Sequence, residues 1–292
     1  MTIFVTTFFF VFGAIIGSFL NVIILRYNTG LSQKNSIGFS GRSRCFSCGK
    51  NIKWYDLIPV LSFMILNGRC RHCKSKISFQ YPLVELCAGF LFSGIFWKFF
   101  LQNQSTTFSF ADYLLFSITL VVFSALIVIT AYDLRHKIIP DLFVFLFGVL
   151  ALVHIFISVP LETLFRFPSN LFYFLAGPII AIPFFLIWLV SRGRWMGLGD
   201  AKLALGIGWF LGLVLGVSAV VIGVWIGAVV SIFLLLLSKL ALVGFARSGL
   251  LSFPLKNLTM RSEIPLGPFL ILGFVTVYFF QLDVTGLSTL SM

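Results

Sequence analysis

Four of the five cysteines come as two pairs in one polar segment that joins two long apolar runs. Cys45 and Cys48 form the first Cys-x-x-Cys pair, and Cys70 and Cys73 form the second, with 21 residues between the pairs. Two such pairs at this separation are typical of a tetrahedral zinc site built from four thiolates. Because all four coordination positions are filled by protein, the metal would be a structural clip that helps a short loop to fold.

Disulfide bonds are the alternative for the same cysteines, and they need an oxidising compartment. The segment around them is rich in Lys and Arg, which predicts a place on the cytoplasmic side of a membrane, where thiols stay reduced. Zinc is therefore the favoured interpretation. The turns beside Gly49 and Gly68 suit amides that approach the sulfurs, and Cys87, in the next apolar run, is expected to be a small packing residue.

The nine acidic residues of the chain can be assigned by position. Five of them are expected at the ends of apolar spans, on the side of the membrane that carries the cysteine segment: Glu85, Asp133, Asp141, Asp200 and Glu263. A helix N-cap explains Asp141 and Glu85, and it also accounts for Asp200. Asp133 ends its helix, where the dipole disfavours a negative charge, so it needs another explanation.

Asp133 and Asp200 would together supply a pair of carboxyl groups at one membrane boundary. Repulsion between two such groups keeps one protonated while the other is ionised. The ionised member can take a proton from water and the neutral member can donate one, which is a route to peptide hydrolysis without a metal or covalent intermediate. Helix caps and ion pairs remain the alternative. The glycines of Gly197-Leu198-Gly199-Asp200 would let an extended substrate approach, or would simply join a loop to a helix.

The elements that must position these residues are apolar helices. The chain has 292 residues, of which 59% are hydrophobic and 10% charged, and its mean hydropathy is +1.07; this predicts an all-α polytopic integral membrane protein. Seven or eight spans are expected, eight being favoured, and a break between the sixth and seventh would fall at Gly212, Gly216 or Gly223. The eight spans are 3–25, 83–101, 112–132, 142–159, 171–190, 203–217, 219–244 and 265–282.

The formal charge of +12 comes mainly from the loops predicted on one side of the membrane. Ten of the 21 Lys and Arg lie between Arg26 and Lys76, and eighteen lie in the four loops predicted on that side. The positive-inside rule explains this asymmetry, so these loops are placed in the cytoplasm and no nucleic-acid partner is expected. The first span is expected to be a retained helix with its N-terminus outward.

Several segments resemble the bacterial type IV prepilin peptidases, a family of GxGD intramembrane aspartyl proteases. Phe46 and Leu266 depart from the family's usual residues, but neither is a thiolate or a carboxylate. The segments that carry the resemblance, in chain order, are "GSFLNVIILR" from Gly17, the paired-cysteine insert, "YPLVEL" from Tyr81, Asp133 with "IIPD" at 138–141, "GLGDAKL" from Gly197, and "EIPLGPFL" from Glu263.

The resemblance implies a bifunctional enzyme of the bacterial inner membrane. It would cleave the leader of type IV prepilins, or of the pseudopilins of type II secretion, at the cytoplasmic face and then N-methylate the new N-terminus with S-adenosylmethionine. Residues 1–110, with an insert at about 27–82, would be associated with methylation, and 111–292 would form the peptidase core. The implied site residues are Asp133 and Asp200 for catalysis, and Cys45, Cys48, Cys70 and Cys73 for zinc.

Other functions stay open from the sequence. No residue is assigned to S-adenosylmethionine, although Glu85 is a candidate with a helix cap as the alternative. The chain could be a peptidase without methylation, a transporter with Asp133 and Asp200 on an ion path, or a non-enzymatic membrane protein with a structural zinc loop. The identity of the pilin substrate, the oligomeric state and the aspartate that carries the proton are not predicted.

Overall fold

The structure is a computed structural model that describes residues 2–27, 43–102, 108–159, 171–240, 265–284 and 286. Within these residues the regular elements are helices, and no β-strand is formed. Glu263 and the cations of the predicted loop at 247–261 lie outside the described residues. The α-helices are α1 (Thr2–Arg26), α2 (Leu61–Ile65), α3 (Gln80–Gln102), α4 (Phe110–His136), α5 (Asp141–Ser158), α6 (Leu171–Ser191), α7 (Leu198–Leu240) and α8 (Gly267–Phe280).

Six of these helices, α1 and α3 to α7, are long and apolar enough to cross a membrane. Helix α8 is also apolar but has 14 residues, which span about 21 Å at 1.5 Å per residue. The predicted class of an all-α polytopic membrane protein is confirmed. Pro178 and Pro183 lie inside α6, which membrane helices tolerate because local adjustments satisfy the freed carbonyl groups.

Helix α7 contains both the sixth and the seventh predicted spans. Its regular geometry is interrupted at Gly212, where φ is 78° and ψ is −179°, a conformation that is open essentially to glycine alone. The break therefore lies earlier than the predicted boundary near residue 218. An uncharged apolar run has no polar turn to mark such a boundary, and the three candidate glycines could not be told apart by type.

The end of α4 is set by a residue in the left-handed conformation. Lys137 has a φ of 55°, and its N–H donates a hydrogen bond to the carbonyl of Asp133, with an N···O distance of 2.7 Å. This is the hydrogen bond of a left-handed C-cap, so Asp133 lies in the last turn of its helix as predicted. Pro140 then precedes the first residue of α5.

The chain divides into two compact units. The first comprises Met1–Tyr132 with Phe156–Ser158, and the second comprises Asp133–Ile155 with Val159–Met292. In the first unit α1 packs on α3, and a Cβ on Gly17 would lie 2.8 Å from Cα of Glu85. In the second unit α7 packs on α6 and α8, and a Cβ on Gly208 would lie 2.6 Å from the carbonyl oxygen of Ala176. Small residues allow these close helix contacts.

Candidate active site and metal site

Asp133 is buried at the end of α4, with 3% of its surface exposed. The backbone N–H of Gly267, the first residue of α8, donates a hydrogen bond to its carboxylate. A Cβ at position 267 would lie 2.6 Å from Oδ2 of Asp133, so only glycine permits this approach. The acid at the unfavourable end of its own helix thus lies at the N-terminus of another helix, where free amides and the dipole favour a negative charge.

Asp200 is the third residue of α7 and is 8% exposed. Its carboxylate accepts a hydrogen bond from the backbone N–H of Gly197, which is the backward reach of a capping box. The carboxylate therefore helps to cap α7, but from the third position of the helix and not as the predicted N-cap residue. However, Oδ1 of Asp200 is buried and has no hydrogen-bond partner among the described residues. A buried oxygen of this kind needs a hydrogen-bond donor, which water or a substrate group would supply.

The carboxyl groups of Asp133 and Asp200 interact electrostatically within the second unit. Both are buried, so water screens their repulsion less than it would at a surface. Two buried carboxyl groups that repel each other are disfavoured in the doubly ionised form and can share a proton. The structure therefore brings together the two aspartates that the sequence singles out.

Ile139, in the loop between α4 and α5, packs against the starts of two helices. A Cβ on Gly199 would lie 2.7 Å from Cβ of Ile139, and a Cβ on Gly267 would lie 3.2 Å from its Cδ1. The space at Gly199 is thus filled by protein. Gly197 differs, because the nearest atoms to a Cβ there lie 3.9 and 4.0 Å away. Of the two glycines before Asp200, Gly197 is the one with more space beside it among the residues that the structure describes.

Asp141 does not cap α5 through its side chain. The N-cap residue is Pro140, and no side-chain cap hydrogen bond is formed there. The Asp141 carboxylate instead forms an ion pair with Lys202, with Nζ and Oδ1 separated by 2.5 Å. Both side chains are exposed to solvent, so the pair contributes at most about 1 kcal/mol. Lys202 thus has a partner from a distant part of the sequence, besides its predicted role in topology.

Glu85 also differs from its predicted role as a cap of its own helix. Helix α3 begins at Gln80, so Glu85 lies in its second turn, where it is 7% exposed. Its Oε2 accepts a hydrogen bond of 2.8 Å from the N–H of Val60, the residue that precedes α2. The carboxylate therefore caps a neighbouring helix, a contact that no local sequence pattern reveals.

The sulfur atoms of Cys45, Cys48, Cys70 and Cys73 lie within 4.8 Å of one another. Sγ of Cys45 is 3.8 Å from Sγ of Cys73. A tetrahedron with zinc–sulfur bonds of about 2.3 Å has edges of about 3.8 Å. The four thiols predicted as ligands thus converge on one point and could hold a metal ion.

The two cysteine pairs belong to a structural repeat of 25 residues that the sequence analysis missed. In each copy the N–H of the first cysteine donates a hydrogen bond to the carbonyl five residues ahead. Cys45 donates to Lys50 at 3.0 Å, and Cys70 donates to Ser75 at 2.9 Å. Bridges between Arg44 and Asn51, and between Arg69 and Lys76, close the two turns. The signal was present in the sequence as "RCFSCGKNI" and "RCRHCKSKI".

The pKa values of Cys45 and Cys48 are shifted in opposite directions. Backbone hydrogen bonds from Cys48 and then Ser47 lower the pKa of Cys45 to about 6. A backbone hydrogen bond from Lys50 lowers the pKa of Cys48, but desolvation and the neighbouring sulfurs of Cys45 and Cys73 outweigh it and raise that pKa to about 11. Four thiolates repel one another, so a divalent cation is needed to hold all four in the ionised form.

Fold and site together define a multi-pass helical membrane protein with a buried aspartate pair and a four-cysteine loop. The family description "Bacterial Peptidase A24 N-terminal domain" matches residues 11–99, and "Type IV leader peptidase family" matches residues 120–232. No solved structure matches the chain.

Curated relatives agree with these matches. The chain is 30% identical to "Prepilin leader peptidase/N-methyltransferase" of Vibrio cholerae over 93% of its length and 95% of the relative. Proteins with the same name are 27% identical in Pseudomonas aeruginosa, over 91% and 87% of the two chains, and 30% identical in Bacillus subtilis, over 80% and 84%. The chain belongs to the type IV leader peptidase family, which confirms the resemblance seen in its motifs.

Proposed function

We propose that this enzyme is a prepilin leader peptidase that uses Asp133 and Asp200 as its catalytic pair. The observation that carries this proposal is the burial of both carboxyl groups within electrostatic reach of each other. The unpartnered Oδ1 of Asp200 offers a hydrogen-bonding position for the attacking water or for the carbonyl of the scissile peptide.

In the proposed reaction, the ionised member of the pair takes a proton from a water molecule while the oxygen of that water attacks the peptide carbonyl. The protonated member donates to the carbonyl oxygen to give a tetrahedral intermediate. When the intermediate collapses, the proton taken from water passes to the leaving amine, and a hydroxyl group of the intermediate returns a proton to the other aspartate. The amide of Gly267 holds Asp133 in place, and Gly197 does the same for Asp200. Because the two acids are coupled, the pair titrates as a unit and not as two independent residues.

The proposed substrate is the leader of a type IV prepilin or of a pseudopilin, cleaved at the cytoplasmic face of the bacterial inner membrane. The names of the relatives supply the substrate class. The concentration of Lys and Arg in the loops that follow the predicted inward-running spans supports the cytoplasmic side. The substrate's apolar helix would remain in the bilayer while its leader reaches the two aspartates.

The second proposed activity is N-methylation of the newly exposed N-terminal residue, with S-adenosylmethionine as the methyl donor. The names of the relatives include this activity. We assign its associated region to residues 1–110, with the insert at about 27–82, and the peptidase core to 111–292. The two family descriptions match within these ranges, at 11–99 and 120–232.

Zinc is the metal we propose for Cys45, Cys48, Cys70 and Cys73. The sulfur spacing and the all-thiolate donor set suit this ion in a closed structural site. With four protein ligands it would have no open position for substrate, so its role would be to fold the loop.

The proposed function is tested with purified enzyme in lipid vesicles that also contain a full-length prepilin. Cleavage is followed by the size of the product, and methylation by mass spectrometry of the new N-terminus with and without S-adenosylmethionine. Release of the leader with addition of one methyl group supports both activities. Release without methylation reduces the proposal to a peptidase, and an intact prepilin contradicts it.

A further inference from the structure

We propose that α2 is an interfacial segment, with Leu61, Met64 and Ile65 embedded at the surface of the bilayer. The metal-binding loop would then rest on an anionic membrane through this segment. The proposal does not depend on the peptidase or methyltransferase activity, because it uses only the contacts and charges of the first unit.

The depth of α2 follows from its hydrogen bond to α3. The N–H of Val60, immediately before α2, donates to Glu85 at 2.8 Å, and Glu85 lies five residues after α3 begins at Gln80. Five residues correspond to about 7.5 Å along a helix axis. Since the apolar helix α3 begins at Gln80, the start of α2 lies beside the second turn of this helix and not beyond its end.

A second contact holds α2 at the same level. The ring of Phe63 packs edge-on against the ring of Phe79, with centroids 6.1 Å apart. Phe79 directly precedes α3, and Gly68 also lies against Phe63, since a Cβ there would lie 2.9 Å from its ring. Thus one side of α2 is anchored to the base of α3 by both a polar and an aromatic contact.

The opposite side of α2 presents apolar side chains outward. Leu61 is 56% exposed, Met64 is 66% exposed and Ile65 is 73% exposed. Nearby in sequence, Trp54 is 78% exposed, and tryptophan is enriched where membranes meet water. An outward-facing apolar cluster on an otherwise polar loop indicates an interaction surface, and its depth beside α3 indicates that lipid covers it.

The charge of the loop favours anionic headgroups over other occupants. Among residues 43–79 the only acid is Asp56, and Arg71 pairs with it through a contact of 2.6 Å. Basic residues beside an apolar surface strengthen binding to anionic lipid. A second copy of the loop would carry the same positive charge and be repelled. The basic residues of this range are Arg44, Lys50, Lys53, Arg69, Arg71, Lys74 and Lys76.

The test measures the depth of α2 in the full-length protein. Met64 is replaced by a genetically encoded keto amino acid that carries a nitroxide, which leaves every cysteine in place. The protein is reconstituted in vesicles of phosphatidylcholine mixed with phosphatidylglycerol. Collision rates of the nitroxide with oxygen, which concentrates in lipid, and with a water-soluble nickel chelate are then compared. Lys50, on the first cysteine turn, carries the label in the matched control.

We expect the nickel collision rate at position 64 to be several-fold lower than at position 50, with a higher oxygen collision rate. Equal nickel collision rates at the two positions would overturn the proposal. Low collision rates with both reagents at position 64 would also overturn it, because they would show that protein covers the surface.

A second measurement uses the anchor at Glu85. In the labelled protein, Glu85→Ala removes the acceptor for Val60, whereas Glu85→Gln keeps a carbonyl oxygen that can accept the same hydrogen bond. We expect the alanine variant to raise the nickel collision rate at position 64 several-fold and the glutamine variant to leave it unchanged. A label that stays in lipid in both variants would contradict the anchoring role of Glu85.

Discussion

The backbone of Gly267 lies against the carboxylate of Asp133, so that a Cβ at position 267 would come within 2.6 Å of Oδ2. The same glycine donates its N–H to that carboxylate. Gly267→Ala should therefore displace Asp133 while leaving every ionisable group present. We expect a loss of cleavage rate on the order of 100-fold, because a shift of about 1 Å in a catalytic group has effects of this size.

The matched control for this change is Gly148→Ala in α5. The nearest atom to a Cβ there is 3.7 Å away, an ordinary contact, and alanine is the better helix former. The control should cleave prepilin at the wild-type rate. Equal cleavage rates for the two alanine variants would mean that the Gly267 contact does not position Asp133.

Gly199 and Gly197 provide a second matched pair, because they precede the same aspartate but have different surroundings. Gly199→Ala places a Cβ 2.7 Å from Ile139, and overpacking of this kind costs about 1–3 kcal/mol. Gly197→Ala meets no atom closer than 3.9 Å. We expect thermal unfolding in detergent to show a lower Tm for the first variant and an unchanged Tm for the second.

Kinetics of the Gly197→Ala variant then report on the substrate. If the prepilin backbone passes beside this residue, the added methyl group will raise KM although the Tm is unchanged. A Tm for Gly199→Ala equal to that of the wild type would contradict the packing of Ile139 described here.

The four-cysteine site predicts that removal of one thiol releases the metal. Cys73→Ser leaves three thiolates, and we expect the zinc content per chain, measured by atomic emission, to fall to near zero after dialysis. Cys87→Ser is the control, because Cys87 is outside the cluster of sulfur atoms and should retain the wild-type content. Zinc that remains bound in the Cys73 variant, or is absent from the wild type, would contradict the assignment.

Lys74 occupies a backbone conformation that suits glycine. Its φ is 57°, whereas the corresponding residue of the first cysteine turn is Gly49, with a φ of 69°. A left-handed conformation costs about 1 kcal/mol for a residue with a Cβ, so Lys74→Gly should raise the Tm of the zinc-loaded protein. Lys50→Gly, where φ is not positive, should lower it. A Tm that falls in both variants would count against the repeat.

Much of the site could be predicted from the sequence because it depends on local rules. The dipole at the end of α4 singled out Asp133, and the spacing of the cysteine pairs predicted their convergence. Contacts between distant segments could not be predicted in this way. Gly267 follows Asp133 by more than a hundred residues, and Glu85 meets Val60 across the loop, so neither pairing leaves a periodic pattern.

The break in α7 could not be located from the sequence for a different reason. Three glycines in an uncharged apolar run are equivalent by type, and only the observed φ of 78° identifies Gly212. The cap expected at Asp141 was wrong because Lys202, brought near by folding, offers its carboxylate an ion pair instead. Local propensity predicted which residues matter more readily than it predicted their partners.

The central claim is that Asp133 and Asp200 act together in hydrolysis. Its most direct measurement is prepilin cleavage in vesicles by Asp133→Asn and by Asp200→Asn, with the amount of inserted protein measured in parallel. Each substitution keeps the size of the side chain but removes the carboxyl group that exchanges a proton. We predict that each variant inserts at the wild-type level and that leader removal falls below detection. Cleavage at close to the wild-type rate by either variant would contradict the claim.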